Sequence, residues 1–320
     1  MEKYYKIIDS DEKGKFDAHR FLKYIRRSND RWWNDDTRDS PWIFRGVGDT
    51  AWKLLPAAWR PKDDPNIVNH LTPLFKDIEK LQSLNINGWM NSEHAGDAHI
   101  WTSVEAEAIY QFSQLALKLG YPIDNPGVSP LNTGQLLRPL GPPYRLVPNT
   151  QNAPLAQHHG IPTRLLDWTN NPIFAAFFAA SIRFRKDNSS DICIWACNSE
   201  VIEKPLSKRN FSGRLIIKHD QPGYKNQYLQ AQQGSFLEII GGEDFYSINN
   251  RWPALEDLLN SEYIHNPGED FLFKIKLSSE HVPKLLSLLD REGINEAALM
   301  PSMDNVAQTV INRWRFTNQI

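Results

Sequence analysis

Two stretches of the chain concentrate side chains able to do chemistry. In PWIFRGVGDTAWKLLPAAWR, residues 41–60, Arg45 ends a strand-like run and is followed by Gly46-Val47-Gly48. A planar guanidinium beside backbone that lacks side chains suits a phosphate or a carboxylate. The same pattern fits a structural role, with Arg45 paired to a carboxylate such as Asp49 or Asp167 and the glycines shaping a turn. It has neither the third glycine nor the following helix of a dinucleotide fingerprint.

The second stretch is LAQHHGIPTRLLDWTNNPIFAAFFAA, residues 155–180. His158, His159, Thr163, Arg164 and Asp167 fall just before an apolar run that must be buried. Thr169 or Asn170 can cap a helix there, and Pro172 fits its first turn. A buried helix start carries free N–H groups, which Asp167 could satisfy. That leaves the histidines, Thr163 and Arg164 unexplained, because a cap needs no imidazole. His158 or His159 would serve as acid or base near neutrality, with Asp167 orienting and Arg164 holding an anion. Adjacent histidines without a further Cys/His cluster do not make a zinc site.

A third stretch, QYLQAQQGSFLEII at residues 227–240, offers Gln232 and Gln233 for amide contacts to a planar ligand. Glu238 lies in the strand that follows, as a candidate acid or electrostatic stabiliser. The P-loop, the Gly-x-Ser-x-Gly elbow and the His-Glu-x-x-His helix do not occur.

The elements that would carry these residues read as helices first and strands later. Helical patterns cover 16–27, 66–84 and 103–119, the last opened by TSVEAE with the look of a capping box. Strand patterns cover PWIFRG, DICIWAC, GRLIIK, GSFLEII, DFYSI and DFLFKIKL, with helices again over 279–292 and from 304 to 313. The expected class is α+β, a mixed and mostly antiparallel sheet with flanking helices. Residues 1–320 read as one domain, with 61–150 as a helical and loop insertion; a Pro-, Gly- and Asn-rich loop spans 121–154.

These blocks together resemble the FRG domain family. Phe44-Arg45-Gly46 with Trp52, Leu55-Pro56 and Arg60 is similar to its opening segment, and QHHGIPTRLLDWTNNPIFAAFFA to its most distinctive block. AQQGSF resembles a third block, and GINEAALMPSMDNVAQTV a closing one. The family is known mainly from bacterial and phage proteins and implies no single chemistry. A more distant resemblance is to ADP-ribosyltransferases, where an Arg on an early strand holds NAD. There a hydroxyl residue lies on a second strand and a Glu or Gln on a third. Arg45, Thr163 and the Gln232–Glu238 segment stand in that order, with no Glu-x-Glu or Gln-x-Glu among them. That resemblance implies NAD as a substrate, a toxin or defence role, and a related fold.

Composition narrows the partners. A net charge of −2 gives no global field for nucleic acid, so such a partner would need a local basic patch. The alternative to an enzyme on a nucleotide-like ligand is a binding module that recognises nucleic acid or a protein through the same pocket. The N-terminal stretch has no apolar signal region and the longest apolar run is too short to span a bilayer, so no membrane partner is expected. Cys193 and Cys197 share one strand face about 13 Å apart, too far for a disulfide, which fits a reducing cytoplasm.

Overall fold

The structure, a computed structural model, describes residues 6–8, 16–34, 39–60, 74, 76–78, 93–123, 125–133, 152–185, 190–204, 206–208, 211–213, 216–220, 233–240, 242–259 and 271–317. The helix expected over 66–84 lies almost wholly outside these residues, as does Gln232.

The fold is α+β. Strands β1 (Lys6–Ile8), β2 (Trp42–Val47), β3 (Leu165–Thr169), β4 (Ile192–Asn198), β7 (Ile216–Asp220), β8 (Gly234–Ile239) and β9 (Leu272–Leu277) form one open sheet in the order β1-β9-β4-β2-β3-β8-β7. β5 (Leu206–Lys208) and β6 (Phe211–Gly213) make a separate hairpin. Among the described strands, only the β1–β9 pair is parallel.

The sheet is two ladders held at one point. β2 pairs with β4 from Trp42–Asn198 to Val47–Cys193, and β3 pairs with β8 from Leu165–Glu238 to Thr169–Gly234. β2 and β3 meet only at Phe44–Thr169. A continued antiparallel ladder would set Gly46 opposite Asp167, and it does not form. The two halves of the sheet therefore part at Arg45.

The helices are α1 (Ala18–Ile25), α2 (Glu93–Lys118), α3 (Ala153–His158), α4 (Pro172–Arg185), α5 (Gly242–Asn249), α6 (Leu255–Leu259), α7 (Val282–Arg291) and α8 (Met303–Thr317), besides shorter turns. α4 is the central one, laid on β2 and β4 with α1 and α7 beside it; Phe44, Ile194, Ile275, Ala175, Ala179, Phe21 and Leu285 share that core. Its alanines allow close approach, and Gly46 completes the fit. A Cβ on Gly46 would sit 1.9 Å from the Ala175 carbonyl oxygen. On the other sheet face Ile43, Trp195, Leu237 and Trp168 pack with Trp59 and α6. Over β3 and β8, Leu165 and Phe236 pack with Ile109 of α2 and with α3.

Three local readings change. The α4 cap is Asn171, whose Oδ1 accepts the Ile173 N–H at 3.0 Å, not Asn170 or Thr169. Thr169 instead accepts the Asn171 N–H at 3.1 Å. The TSVEAE segment lies inside α2, which begins at Glu93, so no capping box stands there. DFYSI belongs to α5, not to a strand: Glu243 on that helix reaches a buried arginine, and tertiary pairing overrides a five-residue alternation. Cys193 and Cys197 are buried and unbonded on one face, as their spacing requires.

Candidate functional site

Arg45 turns its side chain into the gap between β2 and β3. Its Nη1 donates to the Asp167 carbonyl oxygen at 2.6 Å and lies 3.5 Å from Asp167 Oδ2. The guanidinium thus satisfies an acceptor that a continuous ladder would have given to a backbone N–H. The pair is not sealed, since the Arg45 side chain keeps 19% and that of Asp167 61% of its surface exposed. Among the described residues, the other guanidinium nitrogens have no partner.

Asp167 lies in mid-strand on β3, five residues before α4, so it does not serve the helix start. Its Oδ1 accepts from Gln157 Nε2 at 2.6 Å. The Gln157 Oε1 accepts in turn from the buried Thr163 hydroxyl, and Thr163 Oγ1 accepts the Leu165 N–H at 3.2 Å. A chain of bonds therefore runs from β2 through β3 to α3 and the turn before β3. Gln157 was not singled out from sequence; its signal was a position one residue before the paired histidines.

His158 ends α3 and His159 follows it, their rings edge-to-face at 5.2 Å. His159 is exposed and stacks on Phe112 at 6.0 Å. Partial burial pulls the His158 pKa below its ordinary value, the His159 ring adds to this, and the nearby Asp167 charge opposes it. The shift favours the neutral imidazole.

Arg164 differs from Arg45 in its surroundings. It is fully buried, with its N–H and Nε on Glu105 at 2.6 and 2.9 Å and its Nη1 on Glu243 Oε1 at 2.9 Å. Nη2 reaches the Thr102 hydroxyl, and the Trp59 ring lies below the guanidinium. Burial works against the Arg164 charge, but Glu105, Glu243 and Glu238 outweigh it and hold its pKa above the usual arginine range. The Glu105 carboxyl is pushed up by burial more than Arg164 pulls it down. Expected beside Arg45 as a second anion holder, Arg164 instead clamps β3 to α2 and α5.

Glu238 is buried on β8, and its Oε2 sits 2.8 Å from His219 Nε2 of β7. It pairs across the ladder with Leu165, apart from Arg45. Gln233 precedes β8 exposed, in the left-handed region at φ 48°, and its carbonyl accepts the Asn170 N–H at 3.0 Å. Arg60 follows the turn Ala57–Trp59 and donates from Nε to the Leu55 carbonyl at 3.1 Å; Ala58 N–H bonds the Thr163 carbonyl. Gly46, read as backbone open to a ligand, is approached by α4 instead. Among the described residues no cluster of three His, Cys, Asp or Glu could hold a metal ion.

Fold and site together define an α+β protein with a polar bond chain at the parting of its central sheet. The FRG domain family model matches residues 146–188, which hold α3, β3, α4 and every residue of that bond chain except Arg45. No curated protein and no solved structure matches. No described helix is long and apolar enough to cross a membrane.

Proposed function

We propose that the FRG domain binds and acts on a nucleotide or NAD-like ligand at the parting of β2 and β3. The observation that carries this is the Arg45 guanidinium: part-exposed, fixed through one nitrogen, with its remaining donors unbonded among the described residues. A phosphate can take those donors in a forked contact. Neutral His158 then serves as base, with His159 beside it, and Asp167 orients Arg45 while placing a carboxylate where positive charge develops. Arg164 and Glu238 drop out of the direct roles because their bonds are internal. In the ADP-ribosyltransferase-like form of this reading the bond from ribose C1′ to the nicotinamide nitrogen breaks, its electron pair leaving with nicotinamide, and C1′ bonds to the oxygen of water or of an acceptor hydroxyl whose proton His158 takes.

A non-catalytic module is the second reading, and one observation favours it. Glu105 and Glu243 are committed to Arg164 and Glu238 to His219, so Asp167 is the carboxylate left at Arg45 among the described residues. Incubation with NAD separates the two: nicotinamide release that is lost in Arg45→Ala and Asp167→Asn supports the enzyme. Binding of NAD without release supports the module, and neither binding nor release overturns the nucleotide reading. Growth arrest on expression in a bacterial host, relieved by Arg45→Ala, would support the toxin or defence role that the family's bacterial and phage setting suggests. We read residues 1–320 as one domain in the cytoplasm, with 61–150 as an insertion anchored through Glu105.

A further inference from the structure

Among the described residues, basic side chains also gather around α1. The buried side of this helix is Ala18, Phe21, Leu22 and Ile25, so its polar residues share the other side. His19, Arg20 and Lys23 lie there, and Arg26 and Arg27 follow directly. His19, Arg20, Lys23 and Arg26 border a cavity of about 840 Å³ between α1 and α7, whose walls include Tyr24, Leu288 and Glu292. Arg31 lies on the continuing turn, its guanidinium 3.8 Å over the Tyr24 ring.

The carboxylates nearby do not cancel these cations. Asp17 caps α1 and touches Arg20, and Glu292 holds Arg26 at 2.6 Å. Asp30 lies on the rim. Lys23 and Arg27 are exposed and have no carboxylate partner among the described residues. In a chain of net charge −2, such a patch answers the need for a local rather than global attraction.

Aromatic rings are interleaved with the charge. Trp33 is 37% exposed, its indole N–H fixed on the Arg27 carbonyl at 2.6 Å and the Arg27 guanidinium 5.3 Å from its ring. A fixed indole and a ring-stacked Arg31 are planar platforms for unpaired bases, while the cations track phosphates. A free phosphate would leave the rings unused, and a lipid surface would draw on the indole as an interfacial anchor rather than as a stacking platform. We propose that this basic and aromatic face binds single-stranded nucleic acid, separately from the ligand at Arg45.

The test is fluorescence anisotropy of the full chain with a labelled oligonucleotide of about 15 nucleotides, DNA and RNA in parallel, across about 50–200 mM salt. With three or four phosphates engaged, the log–log salt slope is about −2 to −3. Lys23→Glu/Arg27→Glu weakens binding at least tenfold and flattens the slope, and Trp33→Ala weakens it about fivefold with the slope kept. If the reversal disturbs the circular dichroism spectrum, Lys23→Gln/Arg27→Gln replaces it. Nicotinamide release by these variants stays at the wild-type level, which separates this surface from the Arg45 site. No binding to either oligonucleotide overturns the proposal. So does unchanged affinity in the charge variants, unchanged affinity in Trp33→Ala, or binding to phosphatidylserine vesicles without binding to the oligonucleotides.

Discussion

Arg45 and Arg164 both lie at β3 and end in opposite electrostatic surroundings. Arg164 is enclosed, its fork closed by Glu105 and Glu243 and its plane backed by Trp59. Arg45 bonds a single carbonyl, lies beside a largely exposed carboxylate, and keeps donors for something else. A buried ion pair is retained because removing one partner strands the other, whereas a part-exposed arginine on a carbonyl is structurally cheap. The difference separates the two residues: Arg164 holds α2 and α5 to the sheet, and Arg45 is the one proposed to meet a ligand.

The contrast can be broken in graded ways. Arg164→Ala leaves Glu105 and Glu243 buried without their cation and should lower stability by about 3–5 kcal/mol, read by urea unfolding. An effect no larger than that of an exposed arginine would refute the clamp. Gly46→Ala forces a methyl group into the Ala175 carbonyl, and the overpacking should cost about 1–3 kcal/mol or more. Thermal unfolding unchanged from wild type would mean that α4 does not rest on β2 at that point. Arg45→Ala should cost only about 1 kcal/mol, the worth of one hydrogen bond.

Smaller effects come with pH. The Glu105 pKa is raised on folding, so above its ordinary value of 4.5 the native state binds more protons than the unfolded one. Its contribution to stability is therefore greatest at low pH and declines as pH rises from 4.5 through the folded pKa. Glu105→Gln should flatten that part of the stability–pH curve; an identical slope would deny the carboxyl this role. His158 shifts the opposite way, so its contribution fades as pH falls below 6.5 toward its folded pKa. Because Asp167 opposes that shift, Asp167→Asn should lower the His158 pKa further, measurable by NMR titration of the imidazole.

The sheet strands were readable wherever alternation or an apolar run was long, as in DICIWAC and DFLFKIKL. The apolar run after Pro172 marked the central helix. What failed was set by distant partners. Nothing near Arg164 in sequence shows that Glu105 and Glu243, 59 and 79 residues away, will enclose it. The same ion pair draws Glu243 and the residues after it into a helix. Asp167 looked like a helix cap because the parting of the sheet, which gives it Arg45, depends on strand register. Glu238 likewise reads as an open strand residue until β7 brings His219 against it.

The account rests most directly on Arg45 being a ligand residue and not a structural one. Calorimetric titration of NAD into wild type and Arg45→Ala, each checked by urea unfolding, tests this in one comparison. The expected result is binding to wild type, at least tenfold weaker binding to the variant, and unfolding free energies within about 1 kcal/mol of each other. Equal NAD affinity in the two proteins, or a variant destabilised as severely as Arg164→Ala, would contradict it.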